Sequence, residues 1–505
     1  MDYRPNPKRE WRRILKREPM TDPVLAHALN RQGQLIEALK ILVACPSVGA
    51  DPAMAQGMED ARNLIEARLD AMGFQNRQRL TPADGSGQPA IFSERIDAPG
   101  KPTMLVYAHY DVQPSDPLNK WDTPPFEPGE RDDRLYGRGI SDDKGPMMIA
   151  LDTLAAFVAV EGRLPVNVKL LIEGEEETGS PSLPGILETH RDLLAADAVL
   201  SADGARWRSD LLTLNVGSRG NAGFEVRVQT AGQDLHSGRY GGIVANPLHV
   251  LSTLVAGLHD AQGHITAPGF YNGVTEPTNA ERDEIAAIPY DEDTSFAAIA
   301  AQPFGEAGYS TLERLWMRPT VDVNGMWGGY TGAGSKTVIP NEAFAKLTMR
   351  LVPGQDPQSA KDAVIDHLRT LLPPHATLEV YGDRGQGGAY VVPADHPLLG
   401  AAVSALEHTT GQSPLKVRIG ASLPLTEIVS QVLGLDTVMF SFALSDENFH
   451  APNEFFRLSS ITDGLAAWVQ IMRQIAEISP DAFAPYRRKS VVKRTPGLST
   501  YHQCR

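Results

Sequence analysis

From Leu25 to Phe74, apolar residues recur at three- and four-residue spacing in LNRQGQLIEALKILVACPSV and GMEDARNLIEARLDAMGF. This is the period of amphipathic helices, with Gly73 closing the second. Short apolar runs then alternate with helical patterns. TMLVYA (103–108), VNVKLLI (166–172) and AVLSA (198–202) predict buried strands, and GPMMIALDTLAAFVAVEG (145–162) and SLPGILETHRDLLAA (182–196) predict helices. Such alternation predicts an α/β fold, a mostly parallel sheet flanked by helices.

Near Gly220 the pattern changes. AGFEVRVQT (222–230) and AFAKLTMRLVP alternate apolar and polar side chains, as half-exposed antiparallel strands do. Helical patterns NPLHVLSTLVAGLHD and PQSAKDAVIDHLRTLL and a strand ATLEVYG interleave with them, predicting an α+β domain over 220–383. Its stretch from about 264 to 318 reads as irregular. The α/β pattern returns in HPLLGAAVSALEHTTG and DTVMFSFAL (436–444), so the first domain is interrupted: 1–219 and 384–480 form one catalytic domain, 220–383 a lid, and 481–505 a basic tail read as a solvated extension.

Composition narrows the function. A net charge of −15 argues against a nucleic-acid partner, and no apolar run is long enough for a membrane partner. The two cysteines, Cys45 and Cys504, exclude a disulfide scaffold or a cysteine-rich metal site. The basic N-terminus lacks the apolar core of a signal peptide, so a cytoplasmic location is expected.

The candidate chemistry lies where apolar strands end. TMLVYA runs into His109 and Asp111, VNVKLLI into Glu173, Glu175, Glu176 and Glu177, AVLSA into Asp203, and DTVMFSFAL leads through SDEN to His450. The loop LYGRGISDDKGPMM supplies Asp142 and Asp143. Singly, each has an ordinary explanation: a strand-end histidine, a helix cap, a solvated acid cluster. Together they crowd the carboxyl edge of one α/β sheet, where ligands bind. So many anions are tolerable there only with cations between them. Carboxylate and imidazole without thiolate suit Zn²⁺, Mn²⁺ or Co²⁺. Three carboxylates and a hydroxide balance two divalent ions, and a spare glutamate supplies a base.

At these residues the chain resembles a known family. HYDVQP, LYGRGISDDKGP, EGEEETGS, SAD, DLHSGRYGG, GSKTVIP, MRLVP and NFHAPNE are similar to motifs of the co-catalytic zinc or manganese hydrolases that include carnosine dipeptidase, aminoacylase, succinyl-diaminopimelate desuccinylase and glutamate carboxypeptidase, the dipeptidase branch above all. The likeness runs in order from about residue 30 to 475. It implies that His109 and Asp203 hold one ion, Glu177 and His450 the other, and that Asp142 bridges. Glu176 would be the general base and Asp111 the group orienting His109; the Thr-Gly-Ser after the glutamates sets this register and leaves Glu175 outside. The lid would supply His236, which in the family reaches the active site of a partner in a homodimer, and Arg350, which clamps a substrate carboxylate. Asn246 would assist substrate or oxyanion binding, and Gly420 and Ser422 belong to a loop that contacts the carboxylate. His249 is expected to pack.

The implied reaction is metal-assisted hydrolysis of a small peptide. The alternatives are an N-acyl amino-acid deacylase with the same metals and, outside enzymes, a metal-binding relative without catalysis. A two-metal phosphoesterase is disfavoured for want of a cationic cluster beside the motifs.

Overall fold

The computed structural model describes residues 22–488. The basic N-terminal stretch, Cys504 and the tail beyond Arg488 lie outside them. Two compact units emerge: the first gathers the chain up to Asn215, Val392–Leu415 and Ile428 onward, and the second is Val216–Val391 with Lys416–Glu427. The Gly420–Pro424 loop therefore clusters with the second unit, whereas the sequence boundaries place it in the first.

The first unit is built on a six-stranded sheet. Its strands β1 (Gln75–Leu80), β2 (Ala90–Arg95), β3 (Thr103–His109), β4 (Asn167–Glu173) and β5 (Ala198–Ser201) are joined by Thr437–Met439. The order is β1-β2-β4-β3-β5 and then Thr437–Met439. The four strands from β4 onward are parallel, and β1 and β2 add an antiparallel edge. Burial on both faces makes the parallel strands continuously apolar: Met104 to Ala108 and Leu170 to Ile172 are all buried. The parallel register sets His109 opposite Glu173, so the polar residues that follow the apolar runs emerge at one edge. Helices Gly145–Glu161 and Leu458–Ala476 pack together in this unit.

The second unit has a four-stranded antiparallel sheet of β6 (Gly220–Gln229), β7 (Thr320–Gly328), β8 (Glu342–Leu351) and β9 (Thr377–Gly387), in the order β7-β8-β6-β9. Along β8, burial alternates residue by residue, the period that a sheet with one covered face demands. Phe224, Val226, Leu347 and Met349 face a core completed by Leu251 and Leu254 of helix Pro247–Ala256 and Val364 and Leu368 of helix Pro357–Leu371.

Several local readings are corrected. The first helical run breaks at Arg31 into Pro23–Asn30 and Gln32–Val43. The helix after Ser182 ends at Thr189, and DTVMFSFAL divides because Ala443–Leu444 leaves the sheet to pair with Ala205–Arg206. The region from 264 to 318 is not irregular throughout: it holds helices Asn279–Ala286, Glu292–Ala298 and Thr311–Met317. The start of the tail is packed down. Phe483 is buried beside the His396 ring, Arg487 pairs with Asp197, and Arg488 donates to Asp436 at 2.9 Å. His249 is exposed rather than packed.

Candidate metal centre

At the end of β3, His109 is fully buried and its two ring nitrogens face two carboxylates. Nδ1 lies 3.4 Å from Asp111 Oδ1, and Nε2 lies 3.1 Å from Asp142 Oδ1. Burial opposes a charged imidazole, yet the bonds to Asp111 and Asp142 outweigh it and raise the His109 pKa well above its ordinary value.

Asp111 serves two neighbours. Besides facing His109, it accepts from the backbone N–H of Glu176 at 3.3 Å and of Glu177 at 3.0 Å. The turn that follows β4 is thereby fixed on the residue that follows β3. The four glutamates at the end of β4 and in that turn part company. Glu173 is buried and accepts from Tyr107 Oη at 2.9 Å and Ser180 Oγ at 2.5 Å, and burial pushes its carboxyl up to about 7. Glu175 turns outward, accepting from the N–H groups of Gln88 and Ser182 at 2.9 and 3.1 Å. Glu177 meets His450 Nε2 at 3.0 Å and accepts from Gln113 Nε2 at 2.9 Å. Glu176 makes no comparable ion pair among the described residues. Its carboxyl is raised well above the ordinary range by burial and then by the negative charge of Asp203.

Asp142 is the hub. One oxygen lies 3.1 Å from His109 and the other 3.1 Å from His450. Donor atoms of His109, Asp142 and Asp203 lie within 4.8 Å of one another, and so do those of Asp142, Glu177 and His450. Burial opposes ionisation of Asp142, but the two imidazoles reverse the balance and lower its pKa. Asp203 is pushed up to about 6 by burial first, and His450 to about 10 by its bonds to Asp142 and Glu177. Raised acids beside raised imidazoles mark an excess of negative charge, which protons or cations can satisfy. Oxygen and imidazole donors at this spacing fit divalent cations.

Neighbouring acids that the sequence reading did not single out hold the centre's loops. Glu454 accepts from the N–H groups of Gly139, Ser141 and Asp142, and Glu447 accepts from Ser141 Oγ. Both stand within a few residues of His450, which was their only signal in the sequence. Asp143 accepts from the His109 N–H at 3.2 Å, while its other carboxyl oxygen is buried without a hydrogen bond.

The remaining predicted residues lie in the second unit. His236 is exposed, and its Nδ1 accepts from the Gly238 N–H at 3.0 Å. Asn246 caps helix Pro247–Ala256 through Leu248 N–H at 2.9 Å, an ordinary structural duty. Arg350, on β8, reaches Ser422 Oγ at 3.4 Å. Arg219, absent from the sequence reading, donates to the Gly420 carbonyl at 2.8 Å and is held down to about 10 by burial and by the nearby Arg350 charge. Gly420 is tightly seated, since a Cβ there would stand 2.9 Å from Leu315 Cδ1.

Comparison with known proteins agrees with this geometry. The model of Peptidase family M20/M25/M40 matches residues 105–474. The chain is 28% identical over 470 residues to the human Beta-Ala-His dipeptidase, covering 88% of this chain and 91% of that one. It is 27% identical over 463 residues to the Cys-Gly metallodipeptidase dug1 of Schizosaccharomyces pombe, covering 89% and 97%. Among solved structures, the M20 family metallo-carboxypeptidase Sso-CP2 from Sulfolobus solfataricus superposes with a TM-score of 0.73 at 29% identity, covering 88% of this chain and 100% of that one. With most of its length matched by the family, and with clustered acid and imidazole donors at the carboxyl ends of parallel strands, the chain binds divalent metal and belongs to Peptidase family M20/M25/M40 as a metallopeptidase.

Proposed function

We propose that this chain hydrolyses the amide bond of dipeptides or other short peptides with two divalent cations, Zn²⁺ foremost, or Mn²⁺ or Co²⁺ in its place. The observation that carries the reading is the sharing of Asp142 between two groups of donors. His109, Asp142 and Asp203 would hold one ion; Asp142, Glu177 and His450 would hold the other. When bound, the ions supply Lewis acidity that lowers the pKa of water and polarises the scissile carbonyl.

The chain's own residues do the rest. Glu176, buried beside Asp203 and without an ion pair of its own among the described residues, takes the proton of the attacking water and delivers it to the leaving amine. Asp111 keeps the His109 ring turned and fixes the Glu176–Glu177 turn. His236 donates to the carbonyl oxygen as negative charge develops on it. Arg350, with Ser422 and the Gly420 loop, binds the substrate's terminal carboxylate through the guanidinium fork. Asn246 adds a polar contact to the substrate.

The functional assembly in this reading is a homodimer in which His236 serves the partner's site. An exposed His236 and the apolar side chains Val323, Met326 and Trp327 exposed on edge strand β7 support it. A sequence with two cysteines suits the reducing cytoplasm. The names of the relatives, dipeptidases acting on Beta-Ala-His and Cys-Gly, favour a dipeptide substrate. The test is a screen of dipeptides against N-acyl amino acids with protein loaded with Zn²⁺, Mn²⁺ or Co²⁺. Dipeptides should turn over fastest; preferential release of acyl groups would assign the protein to the deacylases instead.

A further inference from the structure

The segment that carries His450 is closed on itself and anchored at both ends by buried acids. Phe455 N–H donates to the Glu447 carbonyl at 3.1 Å, and within the loop Asn448, His450 and Asn453 all take left-handed backbone angles, φ 58°, 57° and 61°. Such angles are uncommon outside glycine, so the loop has a specific shape that must be held. At its ends, Glu447 and Glu454 are 0% and 1% exposed. Both reach the same short stretch, Arg138 to Asp142.

Glu454 uses each carboxylate oxygen twice. Oε2 accepts from Arg138 Nη1 and Gly139 N–H, both at 2.8 Å; Oε1 accepts from Ser141 N–H at 2.9 Å and Asp142 N–H at 3.2 Å. Glu447 Oε2 accepts from Ser141 Oγ at 2.5 Å and from Leu444 N–H at 2.9 Å, while Oε1 takes Arg457 Nη1 at 2.9 Å. An ionised carboxylate accepts about four hydrogen bonds and a carboxamide oxygen only about two, so no neutral side chain could replace Glu454 bond for bond.

Burying two further anions beside a cluster already rich in them costs free energy, and a buried charge is tolerated only when fully partnered. The partners here are the backbone of the Asp142 loop. We propose that Glu454, seconded by Glu447, is the positioning element that fixes Asp142 against His450. The 3.1 Å approach of Asp142 Oδ2 to His450 Nε2 is inherited from this clamp. Neither acid is a ligand. They set the spacing of two ligands that lie 308 positions apart in the sequence. Outer-shell partners of this kind typically contribute about 10- to 100-fold in metal affinity.

The inference rests on the metal-centre reading above, and its test separates the two. The divalent-ion affinity of full-length protein is measured by competition with a chromogenic chelator for Zn²⁺ and for Mn²⁺, beside the melting temperature of the chelated protein. Glu454→Gln should weaken binding by about 10- to 100-fold. Ser141→Ala, which removes only the Glu447 contact and leaves Glu447 paired with Arg457 and Leu444, should weaken it in the same direction by a smaller factor. Val469→Ala, buried in helix Leu458–Ala476 and outside the clamp, should lower that melting temperature and leave affinity unchanged. If Glu454→Gln does not fold, Ser141→Ala decides alone. Unchanged affinity in a folded Glu454→Gln, unchanged affinity in Ser141→Ala where Glu454→Gln does not fold, or affinity loss in Val469→Ala equal to the loss in the clamp variants, overturns the clamp. A parent protein that binds neither ion overturns the metal-centre reading itself.

Discussion

Around the ends of β3 and β4, functional side chains are over-determined. Asp111 holds two backbone N–H groups and faces His109, and Asp142 stands between two imidazoles. The functional candidates of the second unit are held far more loosely. Among the described residues the His236 ring is held by a hydrogen bond within its own turn, and Arg350 touches Ser422 at the limit of a hydrogen bond. The contrast follows from charge. A cluster of buried acids must be partnered before it can exist at all, so its geometry is built into the fold. An exposed imidazole such as His236, or a half-buried guanidinium such as Arg350, keeps its charge or polarity satisfied without such partners. The first unit therefore carries a preorganised centre, and in the proposed mechanism the second carries groups whose work begins on binding.

The sharpest way to test the contrast is inside the glutamate turn. Glu176→Gln should retain the ions and lose about 100- to 10,000-fold in turnover, because the amide keeps the shape but cannot take a proton. Glu177→Gln, next to it, should instead weaken metal binding. Reversal of these two results, read by metal content and kcat, would place the base one residue further along.

A smaller effect is expected from the second unit. His236→Ala and Glu176→Gln, each nearly inactive alone, should recover activity when their subunits exchange. Each mixed dimer then contains one intact site, about half of the native activity on counting sites. Absence of recovery despite measured exchange would confine His236 to its own chain or remove it from catalysis.

The smallest effect separates structure from function at Asn246. Asn246→Ala removes the helix cap and should cost about 1 kcal/mol of stability, whereas Asn246→Ser should keep the cap. If activity falls equally in both variants, measured beside their unfolding midpoints, the amide contacts substrate; if Asn246→Ser is fully active, capping is its whole role.

The same contrast explains what could be read from sequence. The parallel strands were legible because burial on both faces leaves unbroken apolar runs, and the acids at their ends were legible because such runs rarely stop on several carboxylates. Strand β1 was not, since five of its six residues are exposed and carry no apolar period. The helices between 264 and 318 are short, but two announce themselves by capping boxes, Thr278 with Glu281 and Ser310 with Glu313. Glu447 and Glu454 were hidden for another reason. Apart from closeness to His450, nothing local marks an acid whose partners, Ser141 and Gly139, lie about three hundred positions earlier. Arg219 was missed in the same way, its meaning residing in the distant Gly420 carbonyl.

The central claim is that Asp142 ties two cation sites into one centre. Quantitative metal analysis of fully active protein, beside Asp142→Asn prepared identically, tests it most directly. The account predicts about two divalent ions per active chain, with both sites weakened together in the variant, because they share that carboxylate. Full activity with one ion or fewer per chain, or an Asp142→Asn protein that still holds two, would contradict it.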